Sequence, residues 1–184
     1  MENTFLPQDY KEPVQNSKYL KFTDGENRIR ILGSAIIGWE DWTADNKPVR
    51  YKFTQEPPQA LTPDRKVKHF WAFPVWDYKD NSVKILEITQ TSIRKALQAM
   101  ISDKEYGDPR GYDIKINKVG KDLDTEYNVM PMPPKPVSEQ VKQAFYALKI
   151  DMNKLFTGEN PFEEEVNIVQ PVSTEEVNIE DIPF

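Results

Sequence analysis

Two strand-like runs, Lys66 to Tyr78 (KVKHFWAFPVWDY) and Ser82 to Thr89 (SVKILEIT), are separated only by Lys79-Asp80-Asn81, and no other feature constrains the fold as tightly. Asp and Asn tolerate the backbone of a tight turn and bond back to their own main chain, so the two runs should pair as an antiparallel hairpin. Alternation puts Val67, His69, Trp71, Phe73 and Val75 on one side, and Phe70, Ala72, Pro74, Trp76 and Tyr78 on the other. Both sides carry rings. A small barrel fills its interior with about half of them, which leaves the rest for another use.

Other elements assemble around this hairpin. After the turn pair Asp24-Gly25, the run Asn27 to Trp39 reads as a long first strand bent at Gly33 or Gly38. Val49 to Thr54 alternates Arg50 and Lys52 with Val49, Tyr51 and Phe53, a short strand inside a long connection that Pro57, Pro58 and Pro63 keep out of the sheet. Thr91 or Ser92 can cap a helix with the stripe Ile93, Leu97, Met100 and Ile101, ending by Ser102 or Asp103. Gly107, Pro109 and Gly111 form its exit loop. Tyr112 to Val119 and Glu126 to Met132 then supply two more strands across a turn. With the extra strand set aside, the order is that of an OB-fold: a mainly β, five-stranded Greek-key barrel with one helix between strands 3 and 4.

Pro131, Pro133, Pro134 and Pro136 form a stiff connector to a second helix, capped by Ser138 and reaching about residue 155, with Val141, Phe145, Leu148, Met152 and Leu155 along one side to pack on the barrel. The expected organisation is an extended arm over 1–18, an OB-fold domain over 19–157, and a disordered acidic tail over 158–184. The net charge of −6 belongs to that tail. Residues 158–184 hold eight acidic residues and no Lys or Arg, whereas residues 1–157 hold 22 acidic and 24 basic ones. A mildly basic body with an acidic arm suits a nucleic-acid system, and a merely solubilising terminus would carry the same charge.

Several chemistries are disfavoured. Cys is absent, which removes disulfides, thiol catalysis and cysteine-based metal sites and suits a reducing cytosol. No leader-like segment opens the chain and no long apolar run occurs in it, so a cytoplasmic protein is expected. Neither phosphate-binding glycine pattern is present. His69 is the only histidine, more plausible as a contact or packing residue than as a catalyst. Asp122, Asp124 and Glu126 lack the glycine and terminal glutamate of a calcium loop and read as a solvated turn. No catalytic residue, cofactor or metal is expected.

What remains is cationic and aromatic interleaving across consecutive strands. An unpaired strand of nucleic acid exposes phosphates and base faces together, so it is gripped by a positive groove lined with stacking rings. The candidates are Arg28, Arg30, Trp39, Trp42, Arg50, Tyr51, Lys52, Phe53, Lys68, Phe70, Trp71, Trp76, Lys84 and Lys115. On the aromatic strand, Phe70 and Trp76 with Lys68 are the favoured side, and the opposite side is an open alternative. Trp39 and Trp42 form a second candidate pair.

The terminus Asn178-Ile179-Glu180-Asp181-Ile182-Pro183-Phe184 resembles the carboxyl-terminal tip of bacterial single-stranded DNA-binding proteins. Residues 18–156 resemble phage single-stranded DNA-binding proteins, notably in Phe70-Trp71-Ala72-Phe73-Pro74-Val75 and in Leu86-Glu87-Ile88-Thr89-Gln90-Thr91-Ser92-Ile93. This resemblance implies an OB-fold protein of the infected host cytoplasm that coats single-stranded DNA during replication, recombination or repair. It also implies that Glu180, Asp181, Ile182, Pro183 and Phe184 recruit partner proteins such as a polymerase or a helicase/primase. Some phage relatives carry a Cys/His zinc site, which a chain without cysteine does not inherit. An OB-type protein-interaction module, or a barrel for RNA or oligosaccharide, is the alternative reading.

Overall fold

In a computed structural model, which describes residues 17–162, the chain forms seven antiparallel strands and two helices. These are β1 (Gly25–Ile31), β2 (Ile36–Trp42), β3 (Pro48–Lys52), β4 (Lys68–Asp77), β5 (Ser82–Ile88), α1 (Thr91–Ser102), β6 (Asp113–Val119), β7 (Glu126–Pro131) and α2 (Glu139–Ala147). The sheet runs β3-β2-β4-β1-β6-β7, with β5 on the other side of β4. When β1 and β2 are taken as one interrupted strand, this is an OB-like arrangement with β3 as the extra strand.

The hairpin that dominates the sequence forms as expected. Asp77 pairs with Ser82 next to the turn, where Asn81 adopts a positive φ of 49°. The first strand, expected to be continuous and bent, is broken. Ile31 faces Val75 and Ile36 faces Ala72, so five steps along the first strand match three along β4 and two residues are extruded. Such an insertion turns the sheet through a corner. Gly33 permits it, because a Cβ there would lie 2.8 Å from the Pro74 ring. Gly38 serves the β2–β3 approach instead, since a Cβ there would come within 2.1 Å of the Tyr51 carbonyl oxygen.

Inside the sheet, Ile29, Ile31, Phe73, Val75, Leu86, Ile88, Ile114 and Ile116 pack with Ile93, Leu97 and Met100 of α1. The expected α1 cap differs: Gln90 is the capping residue and its side chain caps no helix N–H, accepting instead from the Thr89 N–H, while the Thr91 hydroxyl accepts from Arg94. Ile101, expected in the buried stripe, is exposed.

Outside the β4–β5 hairpin lies a second apolar layer. Phe70, Ala72 and Ile85 meet Leu155 and Phe162, and Trp76 and Val83 meet Val141. Ser138 caps α2 by accepting from the Val141 N–H, as expected. The helix stops at Ala147, short of 155, because Lys149 turns to φ 44° and Asp151 opens a separate 3-10 turn over Met152–Phe156. The two pieces lay the expected stripe along the sheet despite the break. Packing continues past 158: Phe162 is buried, and the Asp151 N–H donates to the Pro161 carbonyl. The tail residues Glu180, Asp181, Ile182, Pro183 and Phe184 lie outside the described residues.

Candidate nucleic-acid interface

Residues directly opposite each other in antiparallel strands share a face. Trp39 of β2 is opposite both Tyr51 of β3 and His69 of β4, and Ile37 is opposite Trp71. Phe53, just beyond β3, stacks on Trp39 with ring centroids 6.2 Å apart and planes 13° from parallel. His69 leans against both rings, 5.2 Å from Trp39 and 5.4 Å from Phe53. The result is a row of rings, Phe53, Trp39, His69 and Trp71, flanked by exposed Ile37 and ending at the corner of the sheet.

Polar contacts at their edges hold the Trp39, His69 and Trp71 rings of the row. The Trp39 indole N–H donates to the Thr54 carbonyl at 3.0 Å, and the Trp71 indole N–H to His69 Nε2 at 3.2 Å. Buried Asp41 accepts from the Leu61 N–H at 2.6 Å, fastening the proline-rich connection to β2. Trp42 is exposed, and its indole N–H donates to Glu40.

The side of β4 favoured on sequence grounds is the wrong one for the rings. Phe70 and Trp76 are 0% and 5% exposed, because α2 and the residues after it cover that face. A ring under a helix cannot stack on a base. Trp71, from the opposite side, is half-buried and belongs to the row. Tyr51 is half-buried beside it.

The cations divide the same way. Arg30 is buried, donating to Asp113 and to the Arg110 carbonyl, and Arg28 bonds Asp113 at 2.7 Å. Lys84 is buried between Asp77 and Asp80. Arg50 bridges Glu87, at 2.7 Å, and Glu40. Lys115 pairs with Glu26 at 3.2 Å. Arg30 and Lys84 are therefore corrected from DNA contacts to structural ions, since exchanging a buried carboxylate partner for a phosphate would leave that carboxylate unpaired. Lys52 and Lys68 are exposed and form no salt bridge among the described residues.

Two buried carboxylates, which sequence reasoning missed, organise the outer face. Asp113, 0% exposed, receives Arg28, Arg30, Lys135 and the Tyr78 hydroxyl. Burial alone would raise its pKa, but the hydrogen bonds outweigh burial and hold it below the usual carboxylate value. Burial, with Asp113 beside it, pushes Tyr78 up to about 12. Glu40 has the opposite fate: burial and the neighbouring Glu87 push it up to about 8, although Arg50 and Trp42 pull the other way. Asp113 sits in a strictly alternating strand, which was the available signal. Nothing local marks Glu40. Among the described residues no cluster of His, Asp and Glu could hold a metal, and no helix is long and apolar enough to cross a membrane.

The chain is 26% identical over 140 residues to a probable ssDNA-binding protein of Escherichia phage T5, with 61% of this chain and 54% of that protein covered. It thus spans about half the length of the curated relative it matches. No family model matches the chain, and no solved structure does.

Proposed function

We propose that this chain binds single-stranded DNA without sequence preference and without catalysis, stacking bases on the Phe53–Trp39–His69–Trp71 row while the exposed Lys52 and Lys68, on the other face of the same strands, add long-range attraction for the backbone. The row itself carries the reading: four adjacent rings on one face of the sheet, three of them, Trp39, His69 and Trp71, fixed at their edges by hydrogen bonds and the fourth, Phe53, exposed and stacked on Trp39. Each stacked base contributes about 1–3 kcal/mol whichever base it is, so a few platforms give useful affinity. The phage T5 relative bears a matching name. Trp42, exposed at the end of β2, stands on the Glu40 side of that strand and lies outside the row.

In this reading the protein coats and protects single-stranded DNA during phage replication, recombination or repair in the infected cell. Its acidic terminus serves as a handle for partner proteins: Phe184 offers a ring and a carboxylate, Pro183 limits the entropy lost on docking, and Glu180 and Asp181 suit a basic rim.

Titrating homopolymeric single-stranded DNA against tryptophan fluorescence tests the proposal. Quenching that weakens as salt rises is expected. No quenching and no retardation of the DNA at low salt would favour a protein-interaction module instead, and equal affinity for RNA would favour an RNA-binding barrel.

A further inference from the structure

Where the row of rings ends, the surface opens into an apolar cavity of about 420 Å³. Its floor is Ile31, Phe73 and Leu97, which elsewhere are core. One wall is Trp71, the last ring of the row, and another is Ile101, the residue of the α1 stripe left 47% exposed. Gly33, Ser34 and Ala35, at the two-residue extrusion of the β1–β2 corner, line another side. Ser34, Asp108 and Arg110 stand at the mouth, with the Arg110 guanidinium 3.4 Å from the Ser34 hydroxyl and paired to Asp108.

We infer that this cavity receives one nucleobase, unstacked from the bound strand, against the Trp71 indole. The inference rests on the single-stranded DNA reading of the row and gives it a specific subsite.

Three observations select that occupant. The volume suits a small-molecule fragment, in the range of about 300–1,000 Å³ typical of ligand pockets. The lining is apolar and aromatic with donors and acceptors only at the mouth, which matches a flat heterocycle that buries its faces and keeps its polar edge toward water. The third is continuity. Trp71 belongs to both the row and the cavity wall, so a strand stacked along Trp39 and Phe53 arrives with its next base at the opening. Unpaired strands are read in this manner, with individual bases splayed out onto aromatic side chains. Arg110, half-exposed beside the mouth, is placed to meet the phosphate of the displaced nucleotide.

The test combines a walked lesion with a plugged cavity in the full chain. A single abasic nucleotide is moved through the shortest deoxyoligonucleotide that binds tightly, and each position is titrated against the natural chain and against Ile101→Trp and Ala35→Phe, which fill the cavity from its rim and leave Phe53, Trp39 and His69 outside it. Thermal melting identifies whichever plug folds, and an intact-oligonucleotide titration reads any effect on Trp71, the one ring of the row that the cavity shares. The inference expects one abasic position to weaken binding to the natural chain by roughly fivefold or more, and that position-specific loss to vanish in the plugged variants. Plugged variants that bind the intact oligonucleotide as tightly as the natural chain, with the same abasic profile, would overturn the pocket and leave the row standing. A natural chain that binds no oligonucleotide would overturn both.

Discussion

Trp71 donates its indole N–H to Nε2 of His69, and this one bond fixes which ring nitrogen accepts. Nε2 accepts there, so the proton sits on Nδ1, which lies 2.7 Å from the Gly38 carbonyl and donates to it. The ring thereby ties β4 to β2 and to its own strand neighbour. It holds the aromatic row at a defined tilt using only its edge, which leaves ring faces available for stacking.

The first prediction contrasts two pairs of rings. Trp39→Ala and Phe53→Ala should each weaken single-stranded DNA binding by about 1–3 kcal/mol with folding retained, as read by titration and melting. Phe70→Ala and Trp76→Ala should do the reverse, lowering unfolding free energy by about 3–5 kcal/mol in urea with little change in affinity below the transition. Equal losses of affinity from both pairs would count against the row.

Phosphate contacts are separable by salt. Lys52→Ala and Lys68→Ala, on the face behind the row, should each weaken binding chiefly at low salt and reduce the slope of log K against log salt by less than the about 0.7 of a direct single-strand phosphate contact. Lys84→Ala should leave the slope unchanged and lower the melting temperature, because its partners are Asp77 and Asp80.

Asp113→Asn should destabilise the fold by about 3–5 kcal/mol, since Arg28, Arg30 and Lys135 lose the buried carboxylate they share. The pKa of Asp113 is lower folded than unfolded, so its contribution is present above the usual carboxylate pKa and is lost as pH falls through the depressed value. Urea titrations at a series of acidic pH values should show a shallower acid limb in the variant.

Glu40 carries the opposite sign. Its pKa rises from 4.5 to about 8 on folding, so the folded state binds the extra proton and stability declines as pH climbs between those values. Glu40→Gln keeps an acceptor for the Trp42 indole and removes the ionisation. Melting temperatures across this window should fall in the natural chain and flatten in the variant.

The acidic terminus should compete with DNA for the basic surface. A flexible chain of the length of residues 163–184 would span about 26 Å, well beyond the body radius of gyration of about 15 Å. Removing residues 163–184, which hold seven acidic groups, should raise DNA affinity most at low salt. The cut belongs after Phe162. Removing 158–184 would also take out that buried ring and should cost stability, a difference that melting curves of the two truncations would reveal.

The sequence by itself determined the order of elements. Period-two runs, the Lys79-Asp80-Asn81 turn and the apolar stripe of α1 are local signals whose physics acts within a few residues, and they suffice for an OB-like fold. It also determined which residue types could grip a strand. Tertiary structure decided which of them face it. Phe70 and Trp71 are neighbours of similar character, and only the return of the chain after Pro136 to lay Val141, Leu155 and Phe162 on one side of β4 assigns the first to the core and the second to the surface. Likewise Arg28 and Arg30 read as free cations until β6 brings Asp113 beside them from more than 80 residues away. Burial and ion pairing are set by contacts distant in sequence, and a one-residue alternation cannot say which of its two sides the rest of the chain will cover.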